Sequence, residues 1–135
     1  MLLAVFLCLD SQATTNTTLH VFIEEWKIHA DRFQVGAGHL HLSITNQGQQ
    51  VHDLMIMRTT QRFDILPMKR QGGIDQREAG EVVGHLKGIQ PGSKRELQLE
   101  LKPGYYALVC NRVQYEAGGV QRHYARGMRA PLFVQ

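Results

Sequence analysis

Cysteine is nearly absent from this chain. Its 135 residues include two, Cys8 and Cys110. That count excludes a small secreted scaffold stapled by several disulfides. Long hydrophobic runs are absent as well. The run from Met1 to Leu9 is apolar throughout, but it is too short to span a bilayer, so no transmembrane helix is expected in the mature chain. Charge of one sign is not gathered anywhere. The net charge is +3 and the pI about 9.1, yet Lys and Arg are scattered. A nucleic-acid binder would concentrate them in a run or stripe, so no nucleic-acid partner is expected. Repeats, low-complexity tracts and internal linkers are also missing. What remains is a length suited to one domain with a real core.

The N-terminus is the one segment that departs from this globular pattern. Nine apolar residues are followed by Asp10-Ser11-Gln12-Ala13, with small residues where a signal peptidase would cut after Ala13. The expectation is a signal peptide and short lead-in over residues 1–17, a single domain over 18–135, and a periplasmic or extracellular location. No Lys or Arg precedes the apolar run, so a start further upstream and a buried strand are the alternatives. A lipid anchor on Cys8 is disfavoured, because Leu7 is large where such a site prefers a small residue. Cleavage would leave Cys110 as a lone thiol. In an exported protein such a thiol is a liability unless it is buried or bound.

From Thr18 onward apolar residues recur at every second position. Val21, Ile23 and Glu25 alternate with Phe22, Glu24 and Trp26, and Leu40, Leu42 and Ile44 with His39, His41 and Ser43. His52, Leu54 and Ile56 oppose Asp53, Met55 and Met57. Leu97, Leu99 and Leu101 form a further set, Tyr106, Leu108 and Cys110 another, and Pro131 to Gln135 a final short one. A period of two places a residue set on one face of a strand. Turn signals lie between the sets: Gly36-Ala37-Gly38, Asn46-Gln47-Gly48, Gly72-Gly73, Pro91-Gly92 and Pro103-Gly104. The pattern predicts an all-β chain folded as an antiparallel β-sandwich. Asp64 to Gly80 reads as a polar surface connection with room for one helical turn.

Chemistry concentrates near the C-terminus. Cys110 closes the apolar strand Tyr105–Val109, His123 follows after twelve residues, and Met128 after four more. His52 opens a strand far upstream. Each residue alone has a plainer reading. A strand-end cysteine is commonly a small buried hydrophobe, a lone histidine a surface or satisfied core residue, and a lone methionine packing. Together they match an electron-transfer copper site, with two His and one Cys in a plane and a weak axial Met. Soft sulfur ligands favour Cu(I), and imidazole suits both Cu(I) and Cu(II). A zinc site would have no use for the methionine. The expected cofactor is thus one copper ion on His52, Cys110, His123 and Met128.

The same segments carry a family resemblance. Val51-His52-Asp53-Leu54 after Asn46-Gln47-Gly48 resembles the first histidine strand of the plastocyanin/azurin family of cupredoxins. Pro103 to Asn111 resembles its cysteine strand, and His123-Tyr124-Ala125-Arg126-Gly127-Met128 its histidine–methionine loop. The resemblance runs from about Thr18 to Gln135. It implies a Greek-key β-sandwich, one blue copper ion, and single-electron transfer outside the cytoplasm between donor and acceptor proteins. One departure stands out. The gap from Cys110 to His123 is longer than in plastocyanin or azurin, which leaves the loop geometry and the docking surface open.

Other expectations follow from position. Asn111 could tie the cysteine loop to the loop around His52. Asp53 could do so too, but alternation turns it away from His52 and favours the surface. Gly127 would allow a tight turn before Met128, Asn46 would form a turn, and Trp26, Met55 and Met57 would fill core. His123 would be the exposed exit for electrons. Arg122, Arg126 and Arg129 either rim that exit and select an acidic partner or are merely solvated. His39 and His41, two apart, either line a solvated face or form a second metal site. A monomer is expected. The functional rivals are a copper carrier or tolerance protein without a redox partner, and an enzyme, which would need a second copper site that this single domain does not offer.

Overall fold

A computed structural model describes residues 17–135. The signal-peptide reading of the N-terminus and the anchor reading of Cys8 lie outside the described residues.

Among the described residues, eleven strands and two helical turns follow in order: β1 (Thr17–Glu24), β2 (Lys27–Ala30), β3 (Gln34–Val35), β4 (Gly38–Asn46), β5 (His52–Arg58), α1 (Gln76–Ala79), β6 (Glu81–Ile89), β7 (Lys94–Leu101), β8 (Gly104–Val109), β9 (Val113–Glu116), β10 (Gly119–Arg122), α2 (His123–Arg126) and β11 (Arg129–Val134). One sheet has the order β2-β1-β4-β7 and the other β3-β11-β8-β5-β6. The alternating residues pack between them. Leu19, Val21 and Ile23 of β1, Leu40, Leu42 and Ile44 of β4, Leu54 and Ile56 of β5, Tyr106 and Leu108 of β8, and Leu132 and Val134 of β11 form one buried cluster. Burial of these side chains drives the two sheets together.

The sandwich is mixed rather than antiparallel. β1 pairs with β4 in parallel, and β11 with β3. β2 and β3 lie between β1 and β4 in the chain, so the polypeptide turns back before β4 enters beside β1. Period-two alternation is blind to strand direction, which is why the sequence pattern missed it.

The connection after β5 is more than a surface loop. Its helical turn is α1, capped by Asp75, whose Oδ1 accepts from the Arg77 N–H at 3.1 Å. The same segment buries Leu66 and Ile74 on the outer side of the second sheet. There they meet Met55, Met57, Ala107, Val109 and Tyr124 in a second apolar cluster. Met55 and Met57 are core, as expected, but β5 and β8 are buried on both faces. β6 was not legible in the sequence, because Gly84 and Gly88 interrupt its pattern.

Candidate metal centre

Four elements converge at one end of the sandwich. His52 opens β5, Cys110 follows β8, His123 begins α2, and Met128 precedes β11. All four are fully buried. The Cys110 N–H donates to the Met128 carbonyl at 3.0 Å, and the Met128 N–H to the His123 carbonyl at 3.1 Å. The backbone therefore locks the three C-terminal residues side by side.

The long gap between Cys110 and His123 closes on itself. β9 and β10 form a hairpin, with Val113 opposite Arg122 and Glu116 opposite Gly119. At its base the His123 N–H donates to the Arg112 carbonyl at 3.0 Å. The ten residues between are looped out, and His123 returns beside Cys110 as it would from a short loop.

Three donor atoms face one another. His52 Nδ1 lies 3.1 Å from His123 Nδ1, and Cys110 Sγ lies 3.6 Å from His123 Nδ1. One donor from each of the three residues falls within 4.8 Å of the others. The outward nitrogens explain how. His52 Nε2 meets Glu25 Oε1 at 2.8 Å, and His123 Nε2 meets Gln114 Oε1 at 2.9 Å. A carboxylate and an amide oxygen only accept, so each Nε2 carries the proton and each Nδ1 presents a lone pair inward. Two lone pairs and a sulfur facing one centre repel one another unless a cation lies between them. Metal bonds of about 2.0–2.3 Å in a trigonal plane separate such donors by about 3.5–3.7 Å. The donor set therefore fits a single metal ion.

Burial sets the charge states of these groups. Burial pushes the Cys110 thiol up to about 11, although the backbone N–H groups of Asp53 and Arg112 favour the thiolate. Burial, then the neighbouring His52 and Arg112, pushes His123 down to about 4, which keeps it neutral. Burial also disfavours the Glu25 charge, but the N–H groups of Gln49 and Gln50 and the His52 ring outweigh it and hold the carboxyl at about 2.

The neighbours of the donors differ from the sequence expectations. Asp53 is not a surface residue. A bulge in the β5–β6 ladder sets Lys87 and Gly88 against it, with Gly88 in the left-handed region at φ +67°. The Asp53 side chain accepts from the Gly88 N–H at 2.8 Å and faces Arg112 at 3.5 Å. Its own N–H donates to Cys110 Sγ at 3.3 Å. Asn111 reaches Ile74 rather than the His52 loop, accepting its N–H at 2.7 Å. Asn46 is buried and does more than turn. Its Nδ2 donates to the Gln50 and Ile89 carbonyls at 2.8 and 2.9 Å.

His123 is not the exposed exit that the sequence led us to expect. Trp26, at the tip of the β1–β2 hairpin, is only partly buried and covers it. The two ring centres are 5.0 Å apart and nearly perpendicular. The Arg126 guanidinium stacks on Trp26 at 4.0 Å. Gly127 turns at φ +126°, and a Cβ there would lie 2.8 Å from the Trp26 carbonyl, so this turn requires glycine. The three arginines diverge. Arg126 sits over Trp26, Arg129 lies over the Tyr124 ring, and Arg122 lies across Gly72. His39 and His41 pair with Glu100 and Glu96 at 3.1 and 3.6 Å, and they belong to no three-residue donor cluster among the described residues.

The sequence reading took Trp26 as core filler and missed the contacts that Glu25, Trp26 and Gln114 make with the two histidines. Nothing local marks them, because each reaches its histidine only through the tertiary fold.

The sheet order and the position of the donor cluster define a cupredoxin-type β-sandwich. Comparison with solved structures bears this out. The chain is similar to the auracyanin of the photosynthetic bacterium Roseiflexus castenholzii, with a TM-score of 0.56 and 19% identity over 89% of this chain and 98% of that one. It is similar to rusticyanin from Thiobacillus ferrooxidans, with a TM-score of 0.55 and 16% identity over 90% and 79%. Auracyanin A of Chloroflexus aurantiacus, described as a blue copper protein, matches with a TM-score of 0.57 and 14% identity over 89% and 99%. No protein-family model and no curated protein sequence matches the chain.

Proposed function

We propose that this chain is a blue copper protein that carries single electrons. His52 Nδ1, His123 Nδ1, Cys110 Sγ and Met128, which the backbone keeps beside Cys110, would hold the ion. The observation that carries this reading is the convergence of three buried donors, two of them imidazoles whose outward N–H groups are already bound. Copper, when held there, supplies a one-electron couple. The chain keeps the donors rigid, excludes water and fixes each imidazole tautomer. The proteins named above, a blue copper protein among them, support the reading through the shared fold.

The finer points belong to the same proposal. The electron donor and acceptor are proteins outside the cytoplasm, in line with the apolar N-terminal segment. They meet the molecule over Trp26 and Arg126, because His123 is covered, and the exposed Arg126 favours an acidic docking face. A metal carrier without a redox partner would need accessible ligands for exchange, whereas the three donors here have no exposed surface.

The test is optical. Adding Cu(II) to the metal-free chain is expected to produce an intense sulfur-to-copper band in the visible. Ascorbate should bleach it and an oxidant restore it. Cys110→Ser should fold but stay colourless. A wild-type chain with weak copper absorption or a preference for zinc, or a coloured Cys110→Ser variant, would overturn the assignment.

A further inference from the structure

The two histidine rings have unequal backing. His123 leans on a neutral amide, Gln114. His52 leans on a carboxylate, Glu25, and no Lys or Arg among the described residues pairs with that carboxylate. Among the described residues its one ionic neighbour is the His52 ring itself, and residues 1–16 contain neither Lys nor Arg. Three backbone contacts hold it there. The Gln50 N–H donates to Oε1 at 2.8 Å, and the Gln49 N–H is shared between Oε1 at 3.1 Å and Oε2 at 3.0 Å. Gly48 makes the approach possible, because a Cβ at that position would lie 2.5 Å from Glu25 Oε1. The turn at 48–50 is thus shaped around the carboxylate.

We propose that Glu25 is a positioning residue whose negative charge, acting through the His52 ring, favours the oxidised form and sets the reduction potential of the centre. The proposal rests on the copper reading above. In the redox step one electron arrives from a donor protein and Cu(II) becomes Cu(I). No proton moves, and Glu25 stays a carboxylate throughout. With the Cys110 thiolate counted, the centre falls from one positive charge to none. A fixed negative charge at the back of a ligand ring stabilises the more positive state. A hydrogen-bonded carboxylate also makes the imidazole a stronger donor, which again favours Cu(II).

Glu25→Gln is the discriminating variant. The amide oxygen can still accept the His52 N–H, so the shape persists while the charge is lost. The expected result is a tenfold or greater shift of the Cu(II)/Cu(I) ratio toward Cu(I) at fixed poise, which for one electron is a rise of about 59 mV. It is read by redox titration of the blue band. The second readout needs no copper. In 15N NMR of the metal-free chain, the His52 Nε2–H signal should move in Glu25→Gln while that of His123 stays in place. A potential within twofold of the wild-type ratio, or an unmoved His52 signal, would overturn the proposal. If Glu25→Gln does not fold, Gly48→Ala displaces the carboxylate and keeps the charge count. Its potential should rise too, and an unchanged value would again overturn the idea. A wild-type chain without a blue band would remove the copper reading instead, and the NMR comparison alone would then decide whether Glu25 sets the state of His52.

Discussion

Tyr124 shows how single residues hold this centre in place. It sits between His123 and Met128 and is buried. Its hydroxyl donates to the Phe63 carbonyl at 2.8 Å and accepts the Leu66 N–H at 2.8 Å. The ligand turn is thereby pinned to the connection after β5. Tyr124→Phe leaves both backbone groups unpaired and is expected to cost about 1–3 kcal/mol, measured by denaturant unfolding. Burial raises the Tyr124 hydroxyl above its ordinary value, although the Leu66 N–H and Arg129 favour the phenolate. The fold therefore prefers the neutral form. Its contribution is complete below the ordinary tyrosine value of about 10 and is lost as pH rises through the raised one. The gap between wild type and Tyr124→Phe should narrow when unfolding is repeated above about pH 11. A gap that is constant with pH would mean that the hydroxyl does not titrate with unfolding.

At the scale of elements, most strands were legible because their inner faces read out at every second residue. Leu42 is the clearest case. It lies in the middle of β4, between β1 and β7, and has no exposed surface. Leu42→Ala should destabilise the domain by about 2–5 kcal/mol, since the two sheets cannot collapse fully into the gap. Thermal unfolding of the metal-free chain measures this without interference from bound metal. The β9–β10 hairpin was not legible. Its residues are half-buried or exposed, so no apolar face announces it, and the chain there reads as loop. Its consequence is nonetheless central, because it contributes Gln114 and closes the ligand loop through Arg112. β6 escaped for a related reason. Its two glycines serve a bulge and a close contact with Leu97 and Leu99, and both depend on neighbours distant in sequence.

For the whole molecule the question is where partners meet it. The net charge of +3 is small, and long-range steering depends on where charge is exposed. Arg126 lies over Trp26 at the covered end of the site. Oxidation of the copper-loaded protein by ferricyanide, an anion, should slow several-fold in Arg126→Glu and should also slow with added salt. Stopped-flow decay of the reduced state measures both. A rate indifferent to the charge at position 126 would place electron exit elsewhere. An apolar groove of about 520 Å3, lined by Phe33, Phe63, Tyr105 and Phe133 among others, opens beside the Gly104–Tyr105 end of β8. That is the opposite end of the strand from Cys110, so the groove takes no part in holding the metal.

The sequence by itself determined the all-β class, the inner faces of its main strands, and four residues whose chemistry suits copper. Those properties are local or compositional: alternation repeats within a strand, and ligand types can be recognised before their positions are known. Tertiary structure decided the rest. It placed β1 parallel to β4, folded the long ligand gap into a hairpin, and set Trp26 over His123. It also brought Glu25 to His52 across 27 residues of sequence. No spacing rule encodes such meetings. They arise because two sheets pack face to face and deliver their connecting turns to the same end of the sandwich.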